Sequence, residues 1–223
     1  MADNYLERKM EDFRRGKSVT APKTAAGPRK GYIQFPFPPR KVMIAGIDSR
    51  LSLPIIREFS KPGCKVAYIS TDKNTGDLFA RNEGVRFHCL HNNDAISIEQ
   101  AFHDTVKAWR EIDIIICTAS PAPLLSRKWK EHLDALPIPR TYKGRLIILP
   151  DSGEETAEDL FSLCSAHHHD SIAVNAIQGN ISPATSGNQI SDPESLAQDI
   201  ARLCIFLSIP GNECISGNVI VVG

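Results

Sequence analysis

Apolar residues in this chain come in short unbroken runs, separated by longer stretches with helical spacing. The runs are KVMIAG (41–46), CKVAYIS (64–70), VRFHCL (85–90), IDIIICTA (112–119), RLIILP (145–150), SIAVNAI (171–177) and NVIVV (218–222). They are rich in Val and Ile, whose branched side chains suit a pleated surface. Helical patterns fall between them and predict helices at 53–60, 75–83, 95–109, 123–135, 154–167 and 193–208. Strict alternation of strand and helix predicts a parallel sheet with helices on both faces. The strands are apolar throughout rather than at every second position, so both faces should be buried.

The first forty residues follow a different pattern. DNYLERKMEDFRR reads as a short amphipathic helix, with Leu6, Met10 and Phe13 on one side. A helix this short is marginal alone, so its apolar stripe needs a surface to cover. Residues 16–40 are rich in Pro, Gly and Lys and read as an extended linker. Within it, YIQFPFPP is apolar enough that it should lie on a surface. Two regions are therefore expected, an N-terminal arm over 1–39 and an α/β domain over 40–223.

Charge sharpens this division. The whole chain of 223 residues is neutral, with 26 Lys/Arg and 26 Asp/Glu. Residues 1–41 hold ten Lys/Arg against four Asp/Glu, a net of +6, which leaves about −6 on the remainder. An overall balance of zero gives no reason to expect a nucleic-acid partner. The N-terminus has no apolar leader segment, and no run of 18 apolar residues exists to span a membrane. Six cysteines at 64, 89, 117, 164, 204 and 214 include no CxxC pair. They read as buried reduced thiols, and a cytoplasmic location is expected.

In a doubly wound sheet, ligands bind beyond the carboxyl ends of the strands, where the strand order reverses. That rule selects residues 46–52, 70–73, 91–94, 117–121, 151–153 and 178–182. Together these segments resemble the short-chain dehydrogenase/reductase family over roughly residues 40–223. KVMIAGIDSRLSLPIIREFSKPGCKVAYIS is similar to the family's first strand, cofactor turn, helix and second strand. AFHDTVKAWREIDIIICTAS is similar to the third helix and fourth strand, and SIAVNAIQGNISP to the sixth strand and its loop. DPESLAQDIARLCIFLSIPGNECISGNVIVVG matches the last helix, turn and strand most closely. The resemblance implies a Rossmann-like doubly wound parallel sheet of about seven strands, an NAD(P) cofactor and oxidoreductase chemistry.

The departures from the family pattern fall at its functional positions. Thr-Gly-x-x-x-Gly-x-Gly becomes Ala45-Gly46-Ile47-Asp48-Ser49-Arg50-Leu51-Ser52. Asn-Asn-Ala-Gly becomes Cys117-Thr118-Ala119-Ser120, and Pro-Gly after the sixth strand becomes Gly179-Asn180. The catalytic Ser position falls at about Asp151, beside Ser152. No Tyr-x-x-x-Lys follows: the tyrosines are 5, 32, 68 and 142, and the last lysine is Lys143. Between CTAS and RLIILP lie 24 residues, and between Pro150 and AVNAI lie 22. Both segments are about half the family's length, which implies shortened fourth and fifth helices. In the family these two helices make the main dimer contact.

Each candidate also has a plainer reading. Gly46 permits a tight turn, and Ser52 is expected to cap the following helix, with Pro54 in its first turn. Arg50 can hold a phosphate bidentately, or fill the empty site by pairing with Asp48 or Asp72. A filled, structural turn is the favoured expectation, so NAD(P) is the cofactor implied by resemblance and not by the turn itself. Ser70 stands where an acidic residue would bind a ribose, so Ser70, Thr71 and Lys73 would favour a 2′-phosphate. His167, His168 and His169 point about 100° apart on a helix and read as C-terminal polar residues rather than metal ligands. His88 and His91 face opposite sides of a strand. Cys117 reads as structural. Asp151, Ser152 and Glu155 lack a histidine base, and Ser152 with Glu155 reads as a capping box.

The sequence therefore predicts a catalytically degenerate scaffold that self-associates or binds partners, its arm contacting another protomer. An NAD(P)-dependent oxidoreductase, or a dinucleotide sensor with a remodelled site, is the alternative, with Asp151 or Tyr32 as a relocated acid. Residues that would contact a dinucleotide are Gly46, Asp48, Ser49, Arg50, Leu51, Ser70, Thr71 and Ala119. No catalytic or metal-ligating residue is assigned.

Overall fold

The computed structural model describes residues 37–92, 94–137, 142–151, 155–179 and 193–222. The predicted N-terminal helix, most of the linker and Ser152 lie outside these residues. Contacts divide the chain at 35/36, and the larger unit runs from Pro36 to Gly223.

Seven strands form one parallel sheet: β1 (Lys41–Ala45), β2 (Lys65–Ser70), β3 (Arg86–Cys89), β4 (Ile114–Thr118), β5 (Gly144–Leu149), β6 (Ile172–Gly179) and β7 (Asn218–Val222). The spatial order is β3-β2-β1-β4-β5-β6-β7. Six helices alternate with them: α1 (Ser49–Ser60), α2 (Lys73–Asn82), α3 (Ala95–Trp109), α4 (Ala122–Asp134), α5 (Ala157–His167) and α6 (Pro193–Leu207). This is the α/β Rossmann-like architecture predicted from the alternation of patterns.

Alternate residues of each strand enter opposite cores, as the period of two requires. Val42, Ile44, Ile114, Ile116 and Ile147 face one side, where α1 and α6 cover them with Ile55, Ile56, Phe59, Ile200 and Cys204. Met43, Ile115, Cys117, Leu146 and Ile148 face the other, covered by Phe102 of α3, Trp129 of α4 and Cys164 of α5. The central strands are buried along their whole length, which explains their unbroken apolar sequence. Phe37, the part of YIQFPFPP that is described, packs on the first core, with its ring edge-on to Phe59 at 5.9 Å.

Two helix starts differ from expectation by three residues or more. α1 starts at Ser49, four residues earlier than predicted, because Asp48 caps it. Ser52 is not the cap; it is fully buried inside the helix. Pro54 accordingly sits within the helix rather than at its first turn, where its missing N–H leaves the Arg50 carbonyl without an intrahelical donor. α5 starts at Ala157 rather than 154. Its capping box is Thr156 with Asp159, not Ser152 with Glu155. The Thr156 hydroxyl accepts the Asp159 N–H at 3.2 Å, and the Asp159 carboxylate accepts the Thr156 N–H at 2.9 Å. A shorter acid at N3 closes the box because its carboxylate also receives the Thr156 hydroxyl.

Two expectations follow. Gly144 is buried under Trp129: a Cβ there would stand 2.6 Å from the indole Cη2, and Trp129 has no exposed surface into which to move. Gly144→Ala should cost about 2 kcal/mol by overpacking. Chemical denaturation should show the cost shrinking in a Trp129→Phe background. His88 is half-buried on β3, with Nε2 3.2 Å from both Arg86 Nε and Thr105 Oγ1. Burial, reinforced by Arg86 and opposed by Asp104, holds His88 below the ordinary histidine range. A depressed histidine contributes stability that is present above its unfolded pKa of about 6.5 and is lost as pH falls. The unfolding midpoint should therefore drop between pH 7 and pH 5, and less steeply in His88→Gln.

Candidate functional site at the carboxyl edge

The register aligns Ala45 with Ile69 on one side and with Cys117 on the other. The loops after β1, β2 and β4 therefore leave the sheet at one height. β1 lies between β2 and β4, so the strand order reverses at β1. This is where a doubly wound sheet receives ligands.

Gly46 is required there for two reasons. Its φ of +74° lies in the region that favours glycine. A Cβ would also meet Thr118 Oγ1 at 2.6 Å and Pro121 Cγ at 3.5 Å. The β4 loop thus packs directly on the turn after β1. Thr118 and Pro121 were not singled out from sequence as partners of Gly46, since only the register brings them together.

The amino end of α1 is closed by its own chain. Asp48 Oδ1 accepts the Arg50 N–H at 2.7 Å, and the Asp48 carbonyl accepts from the Leu51 and Ser52 N–H groups at 3.1 and 2.8 Å. The Arg50 guanidinium turns back on the same carboxylate, with Nε 3.2 Å from Oδ1 and Nη2 3.3 Å from Oδ2. Of the two partners expected for Arg50, Asp48 is the one it meets. The Arg50 side chain is 68% exposed and that of Asp48 56%. Arg50, through side chain and then backbone N–H, holds the Asp48 carboxyl below its ordinary range against a smaller effect of burial. Ser49 is exposed, whereas Leu51 is buried in the core and offers only its backbone to this edge. Below them, Ser52 Oγ is buried without a hydrogen-bond partner.

The next two helices are closed in the same way. Asp72 accepts from the Thr75 N–H at 3.1 Å and caps α2, and Asp94 accepts from the Ser97 N–H at 2.7 Å and caps α3. The Thr75 hydroxyl, and then its N–H, holds the Asp72 carboxyl below its ordinary range, and the Ser97 N–H does the same for Asp94. Ser70 is half-buried, and its hydroxyl accepts the Asp72 N–H at 3.1 Å; Thr71 is exposed.

Asp151 and Glu155 join the remaining loops. Asp151 Oδ2 accepts the Ser120 N–H at 2.7 Å, next to the buried Ala119. The Asp151 N–H donates to Glu155 Oε1 at 3.2 Å, and Gln178 Nε2 donates to the Glu155 carbonyl at 3.1 Å. The loops after β4 and β5 and the end of β6 are thereby connected. The described residues of this edge carry Asp48, Asp72, Asp94, Asp151 and Glu155 against Arg50 and Lys73.

The remaining candidates are dispersed. Cys117 is fully buried, which pushes its thiol far above the ordinary range and makes it a poor nucleophile. Burial pushes Cys164 up to about 11. His167 ends α5, His168 follows as its cap, and His169 bridges to Ile172. Among the described residues, no group of three His, Cys, Asp or Glu could hold a metal, and no helix is long and apolar enough to cross a membrane.

No family model and no curated protein matches the chain by sequence. Solved structures do match it by shape. A short-chain dehydrogenase/reductase from Serratia marcescens is 14% identical, covers 84% of this chain and 98% of its own, and has a TM-score of 0.66. An enoyl-(acyl-carrier-protein) reductase from Anaplasma phagocytophilum, solved with NAD, is 15% identical, covers 85% and 94%, and has a TM-score of 0.64. A hydroxysteroid dehydrogenase from Escherichia coli is 13% identical, covers 83% and 95%, and has a TM-score of 0.63. Coverage of more than four-fifths of this chain at TM-scores above 0.6 agrees: this chain has the short-chain dehydrogenase/reductase fold.

Proposed function

We propose that the chain uses this oxidoreductase fold as a non-catalytic scaffold that works through protein association. The observation that supports it most is the closure of the amino end of α1 by Asp48, whose carboxylate takes the Arg50 amide and whose carbonyl takes those of Leu51 and Ser52. A helix amino end attracts a pyrophosphate through such amides and its dipole. That dipole contributes about 0.3–1 kcal/mol, up to roughly 2. A carboxylate about 4 Å from an incoming phosphate opposes it by at most roughly 4 kcal/mol near a protein surface, and by less where Arg50 and solvent screen it. A phosphate also has to displace Asp48 from the helix end, and losing a cap costs about 1 kcal/mol. The sequence adds a second reason. Carbonyl reduction needs a positioned proton donor, and no Tyr or Lys exists beyond residue 143 to serve as the family's pair.

One feature favours the alternative of a dinucleotide sensor or remodelled NAD(P) oxidoreductase. Arg50 is exposed and can exchange Asp48 for a phosphate, and a neighbour of like fold was solved with NAD. Thermal unfolding with NADH and NADPH separates the two readings. The scaffold reading expects no saturable shift with either. A ligand at 100 times its dissociation constant would instead stabilise by about 2.7 kcal/mol, and such a shift, abolished by Arg50→Glu, would overturn that reading.

Association is proposed to be with a second copy, contacted by the N-terminal arm. What supports it is charge: +6 on residues 1–41 against about −6 on the remainder. Removing residues 1–20 should lower the solution mass measured by light scattering, and raised salt should do the same to the full chain. An unchanged mass in both excludes the arm as the contact.

A further inference from the structure

β7 is the last strand of the sheet, paired with β6 on one side. Its sequence, NVIVV, holds no charged residue and no proline, the devices that usually protect such an edge. α5 lies over β6 and β7, and its buried Cys164 has Sγ 3.9 Å from the Asn218 carbonyl oxygen. Val219 packs on the same core, and the period of two puts Val221 on that face as well. Phe161 precedes Cys164 by three positions and so shares its flank of the helix. Phe161 is 55% exposed and Val221 69%. Both therefore stand on one face, over a base fixed by the buried Leu160 and Cys164. Leu78 and Ile96 project from other helices, and α6, which carries Phe206, covers the opposite face of the sheet.

The rest of the chain supplies a matching surface. Leu6, Met10 and Phe13 form the apolar stripe of a segment with helical spacing, which is marginal until it covers something. Lys9 and Arg14 flank the stripe, three residues after Leu6 and four after Met10. α5 and β7 carry Glu158 and Asp159 and no lysine or arginine. Glu158 is exposed and lies three residues before Phe161, so a carboxylate borders the apolar face. Residues 16–36 join the stripe to the described chain. A linker of that length spans at most about 70 Å when extended, enough to reach a neighbouring copy.

We propose that the face formed by Phe161, Val219 and Val221 receives the Leu6, Met10 and Phe13 stripe of a second copy. This rests on the reading that the arm contacts another protomer, and it names the surface that the arm meets. Apolar burial supplies the affinity, while Lys9 and Arg14 against Glu158 set orientation and salt dependence. In a two-fold dimer the contact is made twice, each copy giving one arm and one face.

Two variants of the full chain carry the test, followed by light scattering. The face variant is Phe161→Lys/Val221→Lys, and the arm variant is Leu6→Ser/Met10→Ser/Phe13→Ser. Each alone should lose association, its dimer dissociation constant weakening at least ~10-fold, as the loss of a buried Phe implies. Mixed in equal amounts they should form a heterodimer, because one supplies an intact arm and the other an intact face. Ile96→Lys, at an exposed position on α3, should leave the mass unchanged. Both face substitutions fall at exposed positions, so the unfolding temperature should stay that of the unaltered chain. Glu158→Lys, at an exposed helix position, is a milder variant that should weaken association and its response to salt. A face variant that keeps the full mass would overturn the proposal and leave the arm reading intact. A monomeric unaltered chain, or an arm variant that keeps the full mass, would overturn both. Loss of mass in both variants with no recovery on mixing would show that Phe161 and Val221 meet something other than the arm, and the proposal would fail.

Discussion

Burial of both faces of a parallel sheet is the constraint from which the rest of this molecule follows. Parallel strands need crossover connections, and those crossovers put helices on each face. Two separate apolar cores result, one under α1 and α6 and one under α3, α4 and α5. All strands run the same way, so their carboxyl ends share one edge and their amino ends the other. The charged side chains described at the strand ends lie at these two edges, because the central strands are buried on both faces.

At the carboxyl edge the same requirement is met three times. Each helix that follows β1, β2 and β3 begins with amides that need an acceptor, and each finds an aspartate from its own chain: Asp48, Asp72 and Asp94. A protein that binds a dinucleotide leaves the first of these positions to the ligand's phosphate. Here a carboxylate takes it, and Arg50 neutralises that carboxylate from outside. Asp151 and Glu155 extend the pattern by joining neighbouring loops through backbone N–H groups. These three helix ends are capped by their own chain, at the cost of a negative field facing outward.

At the amino edge the balance is inverted. Asp113 anchors Lys41 and Tyr142, while Arg145 closes the end of α6. These contacts connect β1, β4, β5 and α6, and they explain why two charged residues persist beside the core.

Much of the fold was legible in the sequence because it depends on local periodicity. All seven apolar runs are strands, and α3 occupies its predicted residues. The start of α1 was missed because Ser52 and Asp48 are both good caps. Which one serves depends on which side of the helix faces the core, and Ser52 faces inward. The α5 boundary was missed for a similar reason, with two overlapping capping boxes available. The site was legible as a set of loops and as a departure from a family pattern, but not as a geometry. Sequence alone determined the order of strands and helices, the two buried faces, and the absence of a Tyr–Lys pair beyond residue 143, since these are properties of residue type and spacing. Only the tertiary structure decided that Arg50 meets Asp48 rather than Asp72, that Thr118 and Pro121 pack on Gly46, and that Phe161 and Val221 share one exposed face at the edge of the sheet. Those contacts join residues brought together by strand register and side-chain direction, which no local pattern encodes.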